Sequence, residues 1–147
     1  MSDSKQPDID RLCAEQMADA LIYCDRQGVI RRWNAAAAAL FGHSPAQALG
    51  RSLDLIIPEN LRVAHWTAFE RAMQSGVARL QGRATVTKAL TAGGGVIYAE
   101  MSFAVVTDAS GQAIGSVAIA RDATERRLVE REMRELRELR ERYGLGT

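Results

Sequence analysis

Cysteine is scarce: Cys13 and Cys24 are the two in 147 residues, they form no CxxC pair, and they supply neither a disulfide framework nor a zinc site. Both read as reduced, structural thiols. An excess of one charge is also missing, because 19 Lys and Arg stand against 18 Asp and Glu, a formal net charge of +1. No global field draws such a chain to nucleic acid or to an anionic membrane. Long apolar runs are lacking too. The longest, residues 35–41, falls far short of the roughly 18 residues that span a bilayer, and residues 1–7 hold no signal-peptide core. The expectation is a cytoplasmic protein without a membrane segment. No Gly-rich phosphate loop, HExxH, GxSxG or EF-hand pattern occurs, and Gly93-Gly94-Gly95 lacks the Lys-Ser/Thr ending of a P-loop. An enzyme is therefore not expected.

What remains is an ordinary globular composition, 47% apolar and 25% charged, in a length that suits one domain with a short extension. Ile9, Leu12, Cys13 and Met17 fall at helical intervals and predict a short leader helix over 8–18. Two apolar runs, 20–24 and 29–33, flank Asp25-Arg26-Gln27-Gly28 and predict a hairpin. Asn34 can cap a helix through 35–41 that Gly42 ends, and Ser44-Pro45-Ala46-Gln47 has capping-box spacing with proline at the first helical position. The longest internal helix runs from Pro58 to about Ser75 and stops at Gly76. Strand-like stretches at 78–90, 96–106 and 113–121 are parted by two Gly-containing turns. Two strands, several short helices and a three-stranded meander describe an α+β domain with an antiparallel sheet.

Past Asp122 the chain reads DATERRLVEREMRELRELRERY, with Glu125 three residues after a capping Asp122. Val129, Leu136, Leu139 and Tyr143 recur at steps of seven, three and four among Arg and Glu, a heptad seam of about two repeats. It can serve a parallel dimer or a signalling connector, or fold back on its own sheet. The organisation expected is a leader over 1–16, a central domain over 17–121 and an amphipathic helix over 122–147.

Residues 25–53, DRQGVIRRWNAAAAALFGHSPAQALGRSL, resemble the opening half of a PAS domain. Ile57-Pro58-Glu59, Gly76 and the closing Ala120-Arg121-Asp122-Ala123-Thr124-Glu125 extend that resemblance over about residues 17–126. It implies a PAS fold, five antiparallel strands with flanking short helices around a pocket, followed by a C-terminal signalling helix. PAS domains serve as sensory or interaction modules, and the pocket decides which.

In the longer helix Leu61, His65, Ala68, Phe69 and Ala72 share one stripe, which turns His65 toward the interior. One account is a core histidine bonded to a carbonyl. The string Ile-Pro-Glu-Asn-Leu-Arg-Val-Ala-His at 57–65 is also similar to the haem-binding PAS oxygen sensors of the FixL and DOS type. That resemblance implies haem b with His65 as proximal iron ligand, Arg83 of Gly82-Arg83 as the contact to bound oxygen, and Arg71 on a haem propionate. Leu61, Phe69, Leu80, Met101, Phe103 and Ile119 would line the apolar pocket. A neutral imidazole suits ferrous iron, and a guanidinium suits the negative character of bound oxygen, with carbon monoxide gaining less. The implied partners are a diatomic gas (oxygen, or carbon monoxide or nitric oxide) and a second copy of the chain through the terminal helices. Met101 on its apolar face reads as packing before ligation. His43 reads as exposed, and Trp33 and Trp66 as packing around the core. The alternative is a PAS dimerisation module that holds flavin or nothing. Residues 57–75 contain no cysteine, which excludes the light-driven flavin adduct from that helix.

Overall fold

The computed structural model describes residues 6–76 and 83–146. Its elements follow the local signals closely. Asp8 caps α1 (Ile9–Gln16) by accepting the Arg11 N–H. A hairpin of β1 (Ala20–Asp25) and β2 (Ile30–Trp33) comes next, its turn held by Asp25 Oδ1, which accepts from the amides of Gln27 and Val29. Gly28 lies in that turn at φ +78°, and the Trp66 ring rests against it so closely that a Cβ would overlap the indole. Asn34 caps α2 (Ala35–Phe41), and Gly42 ends it in the left-handed region at φ 80°. The reciprocal bonds of Ser44 and Gln47 start α3 (Pro45–Ala48). A 3-10 turn at Leu53–Leu55 leads to α4 (Glu59–Ser75), which closes at Gly76.

β3 (Thr85–Leu90), β4 (Val96–Thr107) and β5 (Ala113–Asp122) form the meander. The predicted start of its first strand at residue 78 falls partly on residues 77–82, outside the described ones. All pairings are antiparallel in the order β2-β1-β5-β4-β3, so the last strand in sequence sits in the middle beside the first. Register fixes the two faces. Ala20, Ile22 and Cys24 on β1 oppose Ala120, Ala118 and Ser116 on β5, which in turn oppose Met101, Phe103 and Val105 on β4. This inner face meets Trp33, Ala37, Phe41, Leu53, Ile56, Phe69 and Met73 in one core.

α5 (Thr124–Arg142) does not begin with the capping box that Asp122 and Glu125 predict. β5 pairing runs through Asp122, opposite Ala99, and the N-cap position falls on Ala123 without a side-chain bond. The Asp122 carboxylate accepts the Thr124 N–H instead, an Asx turn between strand and helix. No residue of α5 is buried. Cys24 is buried in the core whereas Cys13 is exposed, so only one of the two thiols has the structural role expected of both. Burial raises the Cys24 thiol to about 11 and keeps it protonated. No described helix is long and apolar enough to cross a membrane.

Candidate functional site

The buried ridge of α4 is Phe69 and Met73, with Trp66 one turn earlier, rather than the stripe centred on His65. The helix is rotated by its anchors. Trp66 Nε1 donates to Asp54 Oδ1 at 2.8 Å, and Arg62 donates to the carbonyls of Ile57 and Asp54 at 3.1 and 3.3 Å. Ala68, expected inside, is consequently exposed, and Leu61 is half-buried. His65 stands at the flank of the ridge, half-buried, with its ring 4.8 Å from Trp66 edge-on and 6.3 Å from Phe69 in a stacked arrangement. Its Nδ1 is buried and has no hydrogen-bond partner among the described residues. The carbonyl bond of an ordinary core histidine is thus not made by that nitrogen. Desolvation holds the imidazole below its ordinary pKa, against a smaller opposing pull from Asp54, and it is neutral at pH 7.

Met101 is buried and Phe103 half-buried on the inner face of β4, where the sequence places an apolar lid. Thr85 opposes Met101, so odd-numbered residues of β3 face inward. Arg83 shares that parity, yet it lies in exposed coil before the strand begins. Leu80 and Gly82 lie outside the described residues. Ile119 leaves the pocket set altogether: it opposes Ser102 and Leu21, on the face away from Met101, Phe103 and Ala118. Arg71 also points elsewhere. It lines an open concavity of about 620 Å³ along α4 with Arg62, Trp66, Thr67, Glu70 and Gln74. The structure therefore brings His65 and Phe69 together, sets Met101 and Phe103 on one sheet face, and does not bring Arg71, Arg83 or Ile119 to them.

Haem tests this arrangement directly. The unpartnered, neutral imidazole fits as a donor. The remaining set does not fit: the large concavity lies outside α4 without His65 on its wall, and both arginines are exposed. No chemistry through a porphyrin follows from this geometry. Among the described residues no cluster of three or more His, Cys, Asp or Glu side chains could hold a metal ion.

The sequence places a signalling helix directly after the last strand but does not show which bonds join the two. Ala123 N–H donates to Tyr98 O at 2.8 Å and Tyr98 N–H donates to Thr124 Oγ1 at 3.1 Å. Arg126 pairs with Glu100 at 2.6 Å, and the Arg127 guanidinium lies 5.9 Å from the centre of the Tyr98 ring. These bonds all end on β4, the strand whose inner face carries Met101 and Phe103. The sequence signal was the Asp-x-Thr at the strand end, whose threonine now has a partner.

An antiparallel five-stranded sheet with its last strand in sequence at the centre, short helices across one face and a projecting final helix defines an α+β fold of one helix-covered sheet. The chain matches the family described as "PAS fold" over residues 14–128 and belongs to it. An uncharacterised protein of Azorhizobium caulinodans is 33% identical over 93 residues, 63% of this chain but 13% of that relative's length. The PAS domain of a Colwellia psychrerythraea protein superposes with a TM-score of 0.70 at 20% identity, covering 80% of this chain and 96% of that one. The PAS domain of BvgS from Bordetella pertussis gives 0.62 at 17% identity, covering 88% and 95%. Such low identities speak for the fold alone.

Proposed function

We propose that this chain is a non-catalytic signal-transduction PAS module in which changes at the inner face of β4 pass to α5 and are read by a second copy or by an output partner. The supporting observation is that the root of α5 is bonded to β4 at Tyr98 through Ala123 and Thr124. Beyond that root, α5 buries no residue. A displacement of β4 therefore reaches the helix through two backbone-anchored bonds, supported by the Arg126–Glu100 pair and the Arg127 guanidinium near the Tyr98 ring. Hydrogen exchange tests the coupling. Met101→Ala should raise exchange at residues 123–128, whereas Ile30→Val, a core change on the far edge strand β2, should not. Equal exchange at the α5 root in wild type and both variants would overturn the relay.

A second reading, a haem-based gas sensor, rests on the buried, partnerless Nδ1 of His65. In it His65 would hold haem b, which would supply the binding site for oxygen, carbon monoxide or nitric oxide. Titration with hemin should then give a Soret band that His65→Ala abolishes. A protein that stays colourless, or one that binds hemin equally without the imidazole, refutes this reading and leaves the relay standing.

A further inference from the structure

The face of the sheet turned away from the core carries a small basic pocket where α5 leaves it. Lys88 on β3 and Tyr98 on β4 are direct partners in register, and Tyr98 alternates with the buried Ala99, so both side chains project from this outer face. Arg127, Leu128, Arg131 and Arg134 of α5 enclose with Tyr98 a pocket of about 110 Å³. The three arginines fall at steps of four and three residues, which puts their guanidinium groups on one face of the helix. Lys88 Nζ lies 6.0 Å and the Arg127 guanidinium 5.9 Å from the centre of the Tyr98 ring.

The carboxylates nearby do not balance these cations. Glu100 is taken by Arg126 at 2.6 Å, Glu130 is shared between Arg126 and Arg127 at 3.7 and 3.8 Å, and Glu135 bonds Arg131 at 3.2 Å. Lys88 and Arg134 make no ion pair among the described residues, although Glu130 and Glu138 lie one turn either side of Arg134 on the helix. The Tyr98 hydroxyl makes no hydrogen bond among the described residues either. Like charges drawn around one ring repel, and an anion between them relieves that repulsion. Donors arriving from a lysine on one side and guanidinium forks on the other suit an oxyanion with three or more acceptor oxygens better than a carboxylate with two. The pocket is well below the roughly 300–1,000 Å³ that take a drug-sized molecule, so it suits one such group and leaves whatever carries it in solvent.

We propose that the pocket over Tyr98 binds a phosphoryl group, as free phosphate or as the head of a phosphomonoester, and that the bound group clamps the start of α5 to the β3–β4 edge of the sheet. The regulatory half of this rests on α5 being the outgoing element of the relay; the binding half does not. Without the anion, the bonds that hold α5 lie at its root, at Tyr98 and Glu100. With it, Lys88 on β3 is bridged to Arg127, Arg131 and Arg134, a restraint that extends about two turns further along the helix. The cations are solvent-exposed, so the site is of modest strength and sensitive to salt.

The test titrates the full chain with inorganic phosphate at low salt and follows its NMR signals. Shifts should concentrate at Lys88, Tyr98, Arg127, Arg131 and Arg134. Lys88→Ala and Arg134→Ala, both at exposed positions, should each weaken binding roughly threefold and together roughly tenfold, while Arg140→Ala, further along the helix, should leave it unchanged. Saturating phosphate should slow hydrogen exchange over residues 124–134 in wild type and not in the double variant. Vesicles of phosphatidate, compared with vesicles of phosphatidylcholine, separate the sources: co-sedimentation that depends on Arg134 supports a lipid headgroup, and its absence beside phosphate binding supports a soluble compound. The proposal is overturned if the shifts spread over the whole surface, if the double variant binds phosphate as wild type does, or if saturation leaves exchange in α5 unchanged. The exchange experiment on Met101→Ala contains no phosphate, so failure of the clamp and failure of the relay are separate results.

Discussion

Asn34 ties three segments together with one side chain. Its Oδ1 accepts the amides of Leu21 and Ala37, both at 2.9 Å, and its Nδ2 donates to the carbonyls of Ala14 and Asp19, both at 3.0 Å. At 4% exposure no water replaces these bonds easily. Asn34→Ala removes the α2 cap and leaves buried backbone groups unpaired, so chemical denaturation should show a loss of about 2–4 kcal/mol. Asn34→Asp keeps the acceptors but strands two carbonyls, and should also destabilise. His65 makes a different prediction, in pH. Its folded pKa lies below the ordinary value of about 6.5, so the folded state binds fewer protons than the unfolded chain. Its contribution is fully present above pH about 6.5 and is lost as pH falls through the depressed folded value. The stability difference between wild type and His65→Gln, measured from pH 8 to 5, should therefore shift against wild type on acidification. A difference that stays flat would show that the imidazole is not desolvated.

At the level of elements, the join between β5 and α5 is the most exposed to test. Thr124→Val keeps the size of the residue but deletes the oxygen that accepts the Tyr98 N–H. The loss should be about 1 kcal/mol, with faster amide exchange at Tyr98 and residues 124–128 and unchanged protection in β1. This join also marks where the sequence stopped being legible. Asn34, Gly42 and the Ser44–Gln47 box announced α2 and α3 because their chemistry is local, completed within four residues. Asp122 carries the same kind of cap signal, but pairing with Ala99, 23 residues away, keeps it in the strand. The carboxylate then serves a turn instead of a helix end. The candidate site was less legible for the same reason. The α4 stripe through His65 assumed the helix faced the sheet squarely. The bond from Trp66 to Asp54 and the close seat on Gly28 turn it, and neither contact is local. Ile119 was misplaced by one residue of alternation, which the register against Ser102 and Leu21 alone could reveal.

For the whole molecule, the central question is whether the space between helices and sheet is filled. The floor of that space is made of small residues: Ala20 on β1, Ala118 and Ala120 on β5 and Ala99 on β4. Alanine there has two physical meanings. Helices seated close to the sheet need small side chains beneath them, whereas a ligand chamber needs the same small side chains to stay open. The core contacts favour close seating, since Phe41, Phe69 and Met73 join Ile22, Met101 and these alanines in one cluster. Ala118 decides between them, because it lies in the middle of the sheet between Ile22 and Phe103. In a filled core Ala118→Leu overpacks, and the expected loss is about 1–3 kcal/mol, read as a lower unfolding midpoint. In an open chamber the added carbons would fill space, the midpoint would hold or rise, and any hemin uptake would fall with it. The close-packed structure predicts the first result. The second would show an interior with room for a cofactor and would move the haem reading of His65 ahead of the cofactor-free relay.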